Sequence, residues 1–243
     1  MWNWLAWALA AAAPAQAVEP IELYWFDRPP YMVALPGGDE VAGLTATPAA
    51  QAFRTAGIRF RWVSLPTMRQ LVTLKDSGHP ACAVGWLKNA EREQQFKFTA
   101  PIYRDRPTVA LARADYLPAE TLAGTLRQPG TSILIKDGFS YGPLIDQLLV
   151  QIRPERVVTS AENLAMTNMI AAHRASLMFA AEEEASYLLA QAEHEARLPY
   201  PLKIVRFADL PPGERRHILC SKATPDALLE RLNKAIPAES SGQ

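Results

Sequence analysis

The charged residues of this 243-residue chain balance, with 25 Lys and Arg against 25 Asp and Glu. Because the chain has neither a net positive charge nor a polybasic run, its composition gives no electrostatic basis for binding nucleic acid or an anionic membrane surface. Hydrophobic residues make up 49% of the sequence, which is enough for a substantial core.

The first 17 residues have the pattern of an export signal. An apolar run from Trp2 to Ala13 precedes Ala15-Gln16-Ala17, a small-x-small cleavage site. The run is short for a membrane-spanning helix, and no cysteine for lipid attachment lies at the site. We therefore expect cleavage after Ala17 and a freely diffusing periplasmic protein, with residues 1–17 as its signal peptide.

After this leader, strand and helix patterns alternate along the first half of the chain. The strand patterns are rich in β-branched and aromatic residues, and the helix patterns repeat apolar residues every three to four positions. Thr47-Pro48 predicts the start of the first helix, and Gly57 predicts its end. The predicted strands are 21–26, 58–63 and 81–87, and the predicted helices are 47–57 and 66–78.

The second half repeats this organisation and then adds a strand and a helix. Strand patterns at 132–136, 157–158 and 177–180 each precede a helix pattern, and Ser160 is the predicted cap of the second of these helices. Extended segments at 204–207 and 217–221 lead to a final helix that starts at Thr224-Pro225. Alternation of strands and helices predicts the α/β class with mostly parallel sheets.

Four motifs together resemble bacterial solute-binding proteins of family 3, the polar amino-acid-binding type of ABC importers. The strongest resemblance lies in the strand and turn from Gly85 to Tyr103 (GWLKNAEREQQFKFTAPIY). Pro29-Pro30-Tyr31 resembles the first ligand-facing loop of the family, and Lys136 to Gly142 (KDGFSYG) resembles its second-lobe turn. Residues 204–221 and the helix after them resemble the return of the chain to the first lobe.

The resemblance implies a two-lobed periplasmic binding protein fold of type II, in which each lobe is a mixed, mostly parallel sheet flanked by helices. Lobe 1 would comprise residues 18–108 and 216–243, and lobe 2 residues 109–215. Cys82 and Cys220 would then lie in the same lobe. In an oxidising compartment this favours a disulfide between them over the alternative of two buried free thiols.

In the resembled family, the arginine of the turn after the strand at 81–87 binds the carboxylate of the ligand, and Arg92 matches it. A guanidinium presents two parallel donors to a carboxylate, which suits this role. The alternative is a surface arginine paired with Glu91 or Glu93. Ser140 lies where a strand turns into a helix and is a second ligand candidate, although an ordinary helix cap would look the same in sequence.

Two aromatic residues and one glutamate complete the predicted ligand site. Tyr31 follows two prolines, so we expect it to be exposed and to form a wall of the pocket. Trp86 lies near the pocket mouth, where a packing role is equally compatible. The family has an aspartate for the α-amino group where this chain has Ala181, so Glu182 would have to replace it with a shift of one residue.

These residues predict a periplasmic protein that captures a small polar, carboxylate-bearing, amino-acid-like ligand and presents it to an ABC importer or a sensor. We expect a monomer whose partners are that ligand and an inner-membrane permease or sensor, without nucleic acid. The histidines have no metal-site spacing, and no P-loop, dinucleotide or G-x-S-x-G motif is present, so no cofactor, metal or catalytic residue is predicted.

Two other functions remain open from the sequence. Periplasmic cyclohexadienyl dehydratases resemble the same family and use a glutamate just after the corresponding strand, near Glu184 here. A carboxyl group in a dry cleft can act as a general acid, although the first turn of a helix also favours solvated acidic residues. The third reading is a ligand-free interaction protein that keeps the fold and has lost the site.

Overall fold

The structure is a computed structural model that describes residues 19–194 and 199–238. The predicted signal peptide and its cleavage site lie outside the described residues. Within those two ranges, no helix has the length and apolar character needed to cross a membrane.

Secondary structure alternates through both described ranges. The strands are β1 (Ile21–Trp25), β2 (Val33–Ala34), β3 (Val41–Ala42), β4 (Phe60–Ser64), β5 (Ala81–Leu87), β6 (Lys97–Arg104), β7 (Thr108–Arg113), β8 (Ser132–Lys136), β9 (Glu155–Thr159), β10 (Leu177–Ala181), β11 (Leu202–Val205) and β12 (Arg215–Cys220). The helices are α1 (Ala46–Thr55), α2 (Thr67–Asp76), α3 (Ala90–Gln95), α4 (Leu122–Leu126), α5 (Pro143–Ile152), α6 (Asn163–Ala171), α7 (Glu182–His194) and α8 (Asp226–Ala235).

Two five-stranded sheets divide the chain into two lobes. The first sheet has the order β4-β1-β5-β12-β6, and the second has the order β11-β7-β10-β8-β9. Each sheet contains two parallel and two antiparallel strand pairs. The predicted mixed sheets are therefore correct, but parallel pairs are not in the majority. The reason is that β12, which returns from the second lobe, inserts antiparallel between β5 and β6, while β7 runs antiparallel to both of its neighbours.

Each sheet is covered by helices on both faces, because successive side chains of a strand point to opposite faces. In β1, Leu23 packs into a core with α1 and α8, whereas Tyr24 packs into a separate core beside α2. In β7, Leu111 packs towards α6 and α7, whereas Ala110 packs towards α4 and α5. Each lobe therefore has hydrophobic cores of its own, and Ala181 and Phe139 of the second lobe also pack against the core of the first.

Two short crossovers connect the lobes and run side by side. The chain leaves β6 at Arg104, and the amide of Asp105 donates to the carbonyl oxygen of Glu214 in the returning crossover at 2.8 Å. Gly213 makes the contact possible, since a Cβ atom there would lie 1.8 Å from the carbonyl oxygen of Asp105. Thr108 belongs to the second sheet and Arg215 to the first, each one residue away from the boundaries expected from the sequence.

Helix starts differ from the sequence expectations where a tertiary contact intervenes. Helix α1 begins at Ala46 with Thr45 as its N-cap, two residues before the predicted cap Thr47. The hydroxyl of Thr45 donates to the carbonyl oxygen of Tyr31, which anchors this end of the helix to the first loop. Helix α6 has Glu162 rather than Ser160 as its N-cap.

Cys82 and Cys220 form a disulfide inside the first lobe. They are register partners on the antiparallel strands β5 and β12, and both are fully buried. The bond therefore joins the last strand of the chain to the centre of the first sheet.

We expect the double variant Cys82→Ala/Cys220→Ala to lose about 4–5 kcal/mol of unfolding free energy, because the bond closes a long loop in the unfolded chain. The two cysteines are 138 residues apart in sequence. Urea denaturation of the oxidised protein and of the double variant measures the difference. A difference below about 1 kcal/mol would show that the bond does not restrict the unfolded ensemble.

Candidate functional site

The candidate site lies in the cleft between the lobes, where two small adjoining cavities of about 40 Å³ and about 30 Å³ share Arg28, Phe139 and Ser140 among their walls. A water molecule needs roughly 10–15 Å³ on this measure. The larger of these two cavities therefore has room for only a few waters, whereas a third cavity of about 480 Å³ is lined by Arg92 and, across the cleft, by Gly138 and Asp146. The lobes are in direct contact through the hydrogen bonds of Arg28 to Glu184 and of Arg92 to Gly138.

Arg92 projects from α3 into the cleft. The side chain of Asn89 caps this helix by accepting from the amide of Arg92 at 2.9 Å. The guanidinium donates to the carbonyl oxygen of Leu87 at 2.9 Å and, across the cleft, to that of Gly138 at 2.8 Å. Arg92 is only 8% exposed, and burial lowers its pKa.

The charge of Arg92 has no carboxylate partner. Among the ion pairs within residues 19–194 and 199–238, none includes Arg92. Glu93, one of the surface partners considered from the sequence, pairs with Lys88 at 2.9 Å instead. The alternative of a solvated surface arginine is therefore wrong.

The ring of Trp86 packs against the guanidinium of Arg92. The guanidinium carbon of Arg92 lies 4.8 Å from the centre of the Trp86 ring, within the range of a cation–π contact. The indole N–H of Trp86 donates to the side-chain oxygen of Gln70 at 3.2 Å, so the ring is fixed from its other end. Trp86 is buried and lines the smaller cavity, which combines the packing and pocket roles considered from the sequence.

Ser140 lines both cavities, at the turn between β8 and α5. Its hydroxyl donates to the carboxylate of Asp146, which also accepts from the amide of Tyr141 at 2.9 Å. Gly142 is the N-cap of α5. The carboxylate of Asp146 therefore occupies the start of α5, where the sequence predicted that Ser140 would bind an anionic ligand.

Tyr31 is buried, and the expectation that it would be exposed is wrong. It is 1% exposed because two guanidiniums cover its ring, that of Arg28 at 4.9 Å and that of Arg216 at 4.3 Å. Its hydroxyl donates to Glu183 at 3.2 Å. Tyr31 supports the arginines of the cleft and does not line either cavity.

The inward-facing glutamate after β10 is Glu184, which corrects the assignment of Glu182. Glu182 bonds to Arg206 at 2.9 Å and lies outside both cavities. Glu184 is 1% exposed and lines the larger cavity. Each helical residue turns the side chain by about 100°, so two residues in the first turn of α7 point in nearly opposite directions.

Glu184 is held by Arg28 of the other lobe. Arg28 donates from Nε to one carboxylate oxygen at 2.7 Å and from Nη2 to the other at 2.8 Å. Asn163 adds a third bond to the carboxylate at 2.6 Å. Burial alone would raise the pKa of Glu184, but the charge and hydrogen bonds of Arg28 lower it, so the carboxylate stays ionised.

Arg28 was not among the predicted ligand residues. It lies in the loop just after β1, where the carboxyl end of a strand in an α/β sheet commonly faces a ligand crevice, and this position was the available signal. Its partner lies 156 residues further along the chain, which no local pattern reveals.

Two more buried cations border the cleft. Arg216 pairs with Asp105 at 2.7 Å, and both residues are almost fully buried. Lys136 is 4% exposed and donates to the side-chain oxygen of Asn163 at 3.1 Å. Burial lowers the pKa of Lys136. The smaller cavity is bordered by Arg28, Arg92 and Arg216, and no acidic residue of the described chain lines it. This arrangement suits an anion.

No group of three potential metal ligands occurs within the described residues. No family model matches the chain, and no curated protein sequence matches it.

Solved structures match at low sequence identity. The holo ArgBP from T. maritima has a TM-score of 0.69 and 17% identity, over 89% of this chain and 88% of that one. An ancestral arginine-binding protein bound to glutamine has a TM-score of 0.67 and 16% identity, over 89% and 90%. The Bordetella pertussis BvgS periplasmic VFT2 domain has a TM-score of 0.69 and 18% identity, over 90% and 88%. The chain therefore has the two-lobed α/β fold of periplasmic binding proteins.

We expect Glu184→Gln to reduce the unfolding free energy by about 3–5 kcal/mol, because it leaves the buried guanidinium of Arg28 without its counter-charge. Glu182→Gln is the matched control on the same helix turn, and its partner Arg206 is exposed, so we expect a loss of about 0–1 kcal/mol. Replacing both partners, as Arg28→Met/Glu184→Met, should restore most of the stability. Urea denaturation measures all three, and equal losses for the two glutamates would contradict the assignment.

The Arg28–Glu184 pair also predicts a pH dependence. The folded-state pKa of Glu184 is lowered from its ordinary value of 4.5, so the stability it contributes is fully present above that pH. That contribution is lost as the pH falls through the folded-state value. The difference in unfolding free energy between wild type and Glu184→Gln should be constant from about pH 5 to 7 and shrink at lower pH. A difference that grows on acidification would contradict it.

Proposed function

We propose that this chain is a periplasmic solute-binding protein that captures a small carboxylate between its lobes. The observation that carries the proposal is the buried guanidinium of Arg92, which donates to two carbonyl oxygens and forms no ion pair in the described part of the chain, although the charges of Asp146 and Glu91 act on it without direct contact. An uncompensated buried charge is destabilising by several kcal/mol. A ligand carboxylate bound by the guanidinium would remove this penalty. Relief of the buried charge would therefore contribute to the free energy of binding.

The surrounding side chains suit such a ligand. The ring of Trp86 packs against the Arg92 guanidinium, and Arg28 and Arg216, each paired with a carboxylate outside this cavity, also line it. Phe139 provides an apolar wall on the opposite lobe. Two parallel N–H donors next to aromatic surface would recognise a planar carboxylate and leave room for a small apolar part.

Ligand capture would bias the lobes towards closure. Arg92 belongs to the first lobe and already contacts Gly138 of the second, so a carboxylate at this point would touch both lobes at once. A ligand that gains contacts only in the closed form shifts the equilibrium towards that form. In the proposed role the closed, monomeric protein then presents its ligand to an ABC permease or a sensor of the inner membrane. The role assumes export by the predicted signal peptide.

A ligand-free interaction protein is the second candidate, and one observation favours it. The lobes are already joined by the Arg28–Glu184 pair, and the larger cavity has a volume of only about 40 Å³. In that case the closed form would be the functional form, and none of the acids in the binding screen described below would bind.

The dehydratase reading receives less support from the site. A general acid must carry a proton before the reaction, whereas the pair with Arg28 lowers the pKa of Glu184 and keeps it ionised. A turnover assay on prephenate and arogenate tests this reading directly.

We expect Arg92→Ala and Arg92→Lys to weaken carboxylate binding by about 30- to 5000-fold, because a partly buried charge-assisted pair contributes about 2–5 kcal/mol. Lysine keeps the charge but has no planar pair of donors, so it should be a poor replacement. Calorimetry with acetate, propionate, succinate, glutarate and 3-phenylpropionate supplies the measurement.

Arg54→Ala is the control for this experiment. Arg54 is about half exposed and pairs with Glu40 on the outside of the first lobe, so its loss should leave affinity unchanged. Unchanged affinity in Arg92→Ala, with the fold intact, would remove Arg92 from the ligand site.

A further inference from the structure

We propose that Arg28 sets the ligand class of this cleft: by binding Glu184 from within the chain, it makes the site select carboxylates that carry no ammonium group. This inference rests on the proposed function and narrows it. An amino acid needs an anionic partner for its ammonium as well as a cationic partner for its carboxylate, and the cleft provides only the second.

Three hydrogen bonds from within the chain engage the carboxylate of Glu184. Both of its carboxylate oxygens accept from Arg28, and one of them also accepts from Asn163. The side chain is 1% exposed, so no solvated oxygen remains for a ligand ammonium. The charge of an incoming ammonium would also lie beside the guanidinium of Arg28, and like charges repel strongly in a buried site.

The other carboxylates around the cleft are also engaged. Asp105 binds the buried guanidinium of Arg216 at 2.7 Å. Glu183 accepts from the hydroxyls of Tyr31 and Tyr103 and from the amide of Arg106. These acceptors hold the crossovers and the first loop in place, so their oxygens serve the closed structure.

Asp146 and Glu214 lie at the edge of the same region. Asp146 accepts from the hydroxyl of Ser140 and from the amide of Tyr141. Glu214 lines the larger cavity, where burial, followed by the nearby charges of Asp105 and Asp146, raises its pKa. Of the two small cavities, Glu214 lines only the larger, whereas Arg92 borders the smaller one.

Two cations of the cleft, Arg92 and Lys136, have no buried carboxylate of the described chain in an ion pair with them. Arg92 has no carboxylate partner, and the acidic partner of Lys136 is Glu162, at 3.3 Å, whose side chain is 69% exposed. The ammonium of Lys136 lies 5.1 Å from the centre of the Phe139 ring, on the cleft side of the second lobe. An anion is attracted electrostatically by both cations. A zwitterion is attracted less, because both cations repel its ammonium group.

Arg28 therefore occupies the place of a ligand cation. Its guanidinium lies between the rings of Tyr31 and Phe139, at 4.9 Å and 4.8 Å, and bridges from the first lobe to the carboxylate of the second. This cation is covalently part of the chain, so it is present whenever the lobes close.

The test compares matched acids that differ only in the amino group: propionate with alanine, succinate with aspartate, glutarate with glutamate, and 3-phenylpropionate with phenylalanine. Calorimetry on wild type should show the acid without an amino group binding at least ten-fold more tightly in the pair that binds best. In Arg28→Ala, Glu184 is left free to accept an ammonium, and this preference should fall at least ten-fold. The double variant Arg28→Met/Glu184→Met has no such acceptor and should keep the wild-type preference.

The outcomes separate this inference from the proposed function. If an amino acid binds wild type as tightly as its matched acid, and Arg92→Ala abolishes that binding, the solute-binding function stands and the role of Arg28 is overturned. If no acid of either kind binds, the proposed function fails and the inference fails with it. If Arg28→Ala does not fold, the comparison on wild type alone decides between the two classes of ligand.

Discussion

A buried charge is stable in a protein only while its partner is in place, and in this molecule the partner of Glu184 belongs to the other lobe. Arg28 follows the first strand of the chain, and Glu184 lies in the first turn of α7. Neither group has solvent to replace the other, because the side chains are 11% and 1% exposed. Separation of the lobes must therefore rehydrate both charges together, and the energetics of the closed form depend on this pair.

The remaining buried charges of the cleft have partners within the closed structure, and Arg92 differs from them. Asp105 and Arg216 satisfy each other, and Glu183 collects hydroxyl and amide donors from the first lobe and the crossover. Arg92 is the one guanidinium among these buried groups of the described chain that forms no ion pair: its partners are two carbonyl oxygens and the ring of Trp86. Where the chain supplies both charges of a pair, their attraction offsets the free-energy cost of burying them. Arg92 has no such pair, so an external anion would be bound most strongly beside it.

Periodicity was sufficient to predict most strands and helices, because the alternation of buried and exposed positions is a local property of the sequence. The prediction for Arg92 came from the resemblance and not from periodicity, and the structure has Arg92 in α3 beside the cleft. Periodicity could not distinguish Glu182 from Glu184, since a helix start shifted by a single residue rotates every side chain by about 100°. The burial of Tyr31 was mispredicted for a related reason: two arginines cover its ring, and one of them, Arg216, is far away in the sequence.

The direction in which strands pair also depends on residues far apart in the sequence, so local patterns do not predict it. Strand β12 has an ordinary apolar pattern, and nothing in it indicates that it lies antiparallel between two earlier strands. Its direction depends on how the chain returns from the second lobe. The resemblance to a two-lobed family supplied the return itself, which placed Cys220 beside Cys82. The direction of the strand could not be read from either source.

The paired crossovers restrict how the lobes can move. The amide of Asp105 is bonded to Glu214, and Gly213 lies against the backbone of Asp105 with no space for a side chain between them. The two connections therefore form a single narrow ribbon, which bends across its width more readily than its two halves slide past each other. Opening becomes a rotation about one axis, and sideways gliding of one lobe over the other is suppressed. In such a rotation, contacts across the cleft separate by a distance that grows with their distance from that axis, so those near the ribbon move least.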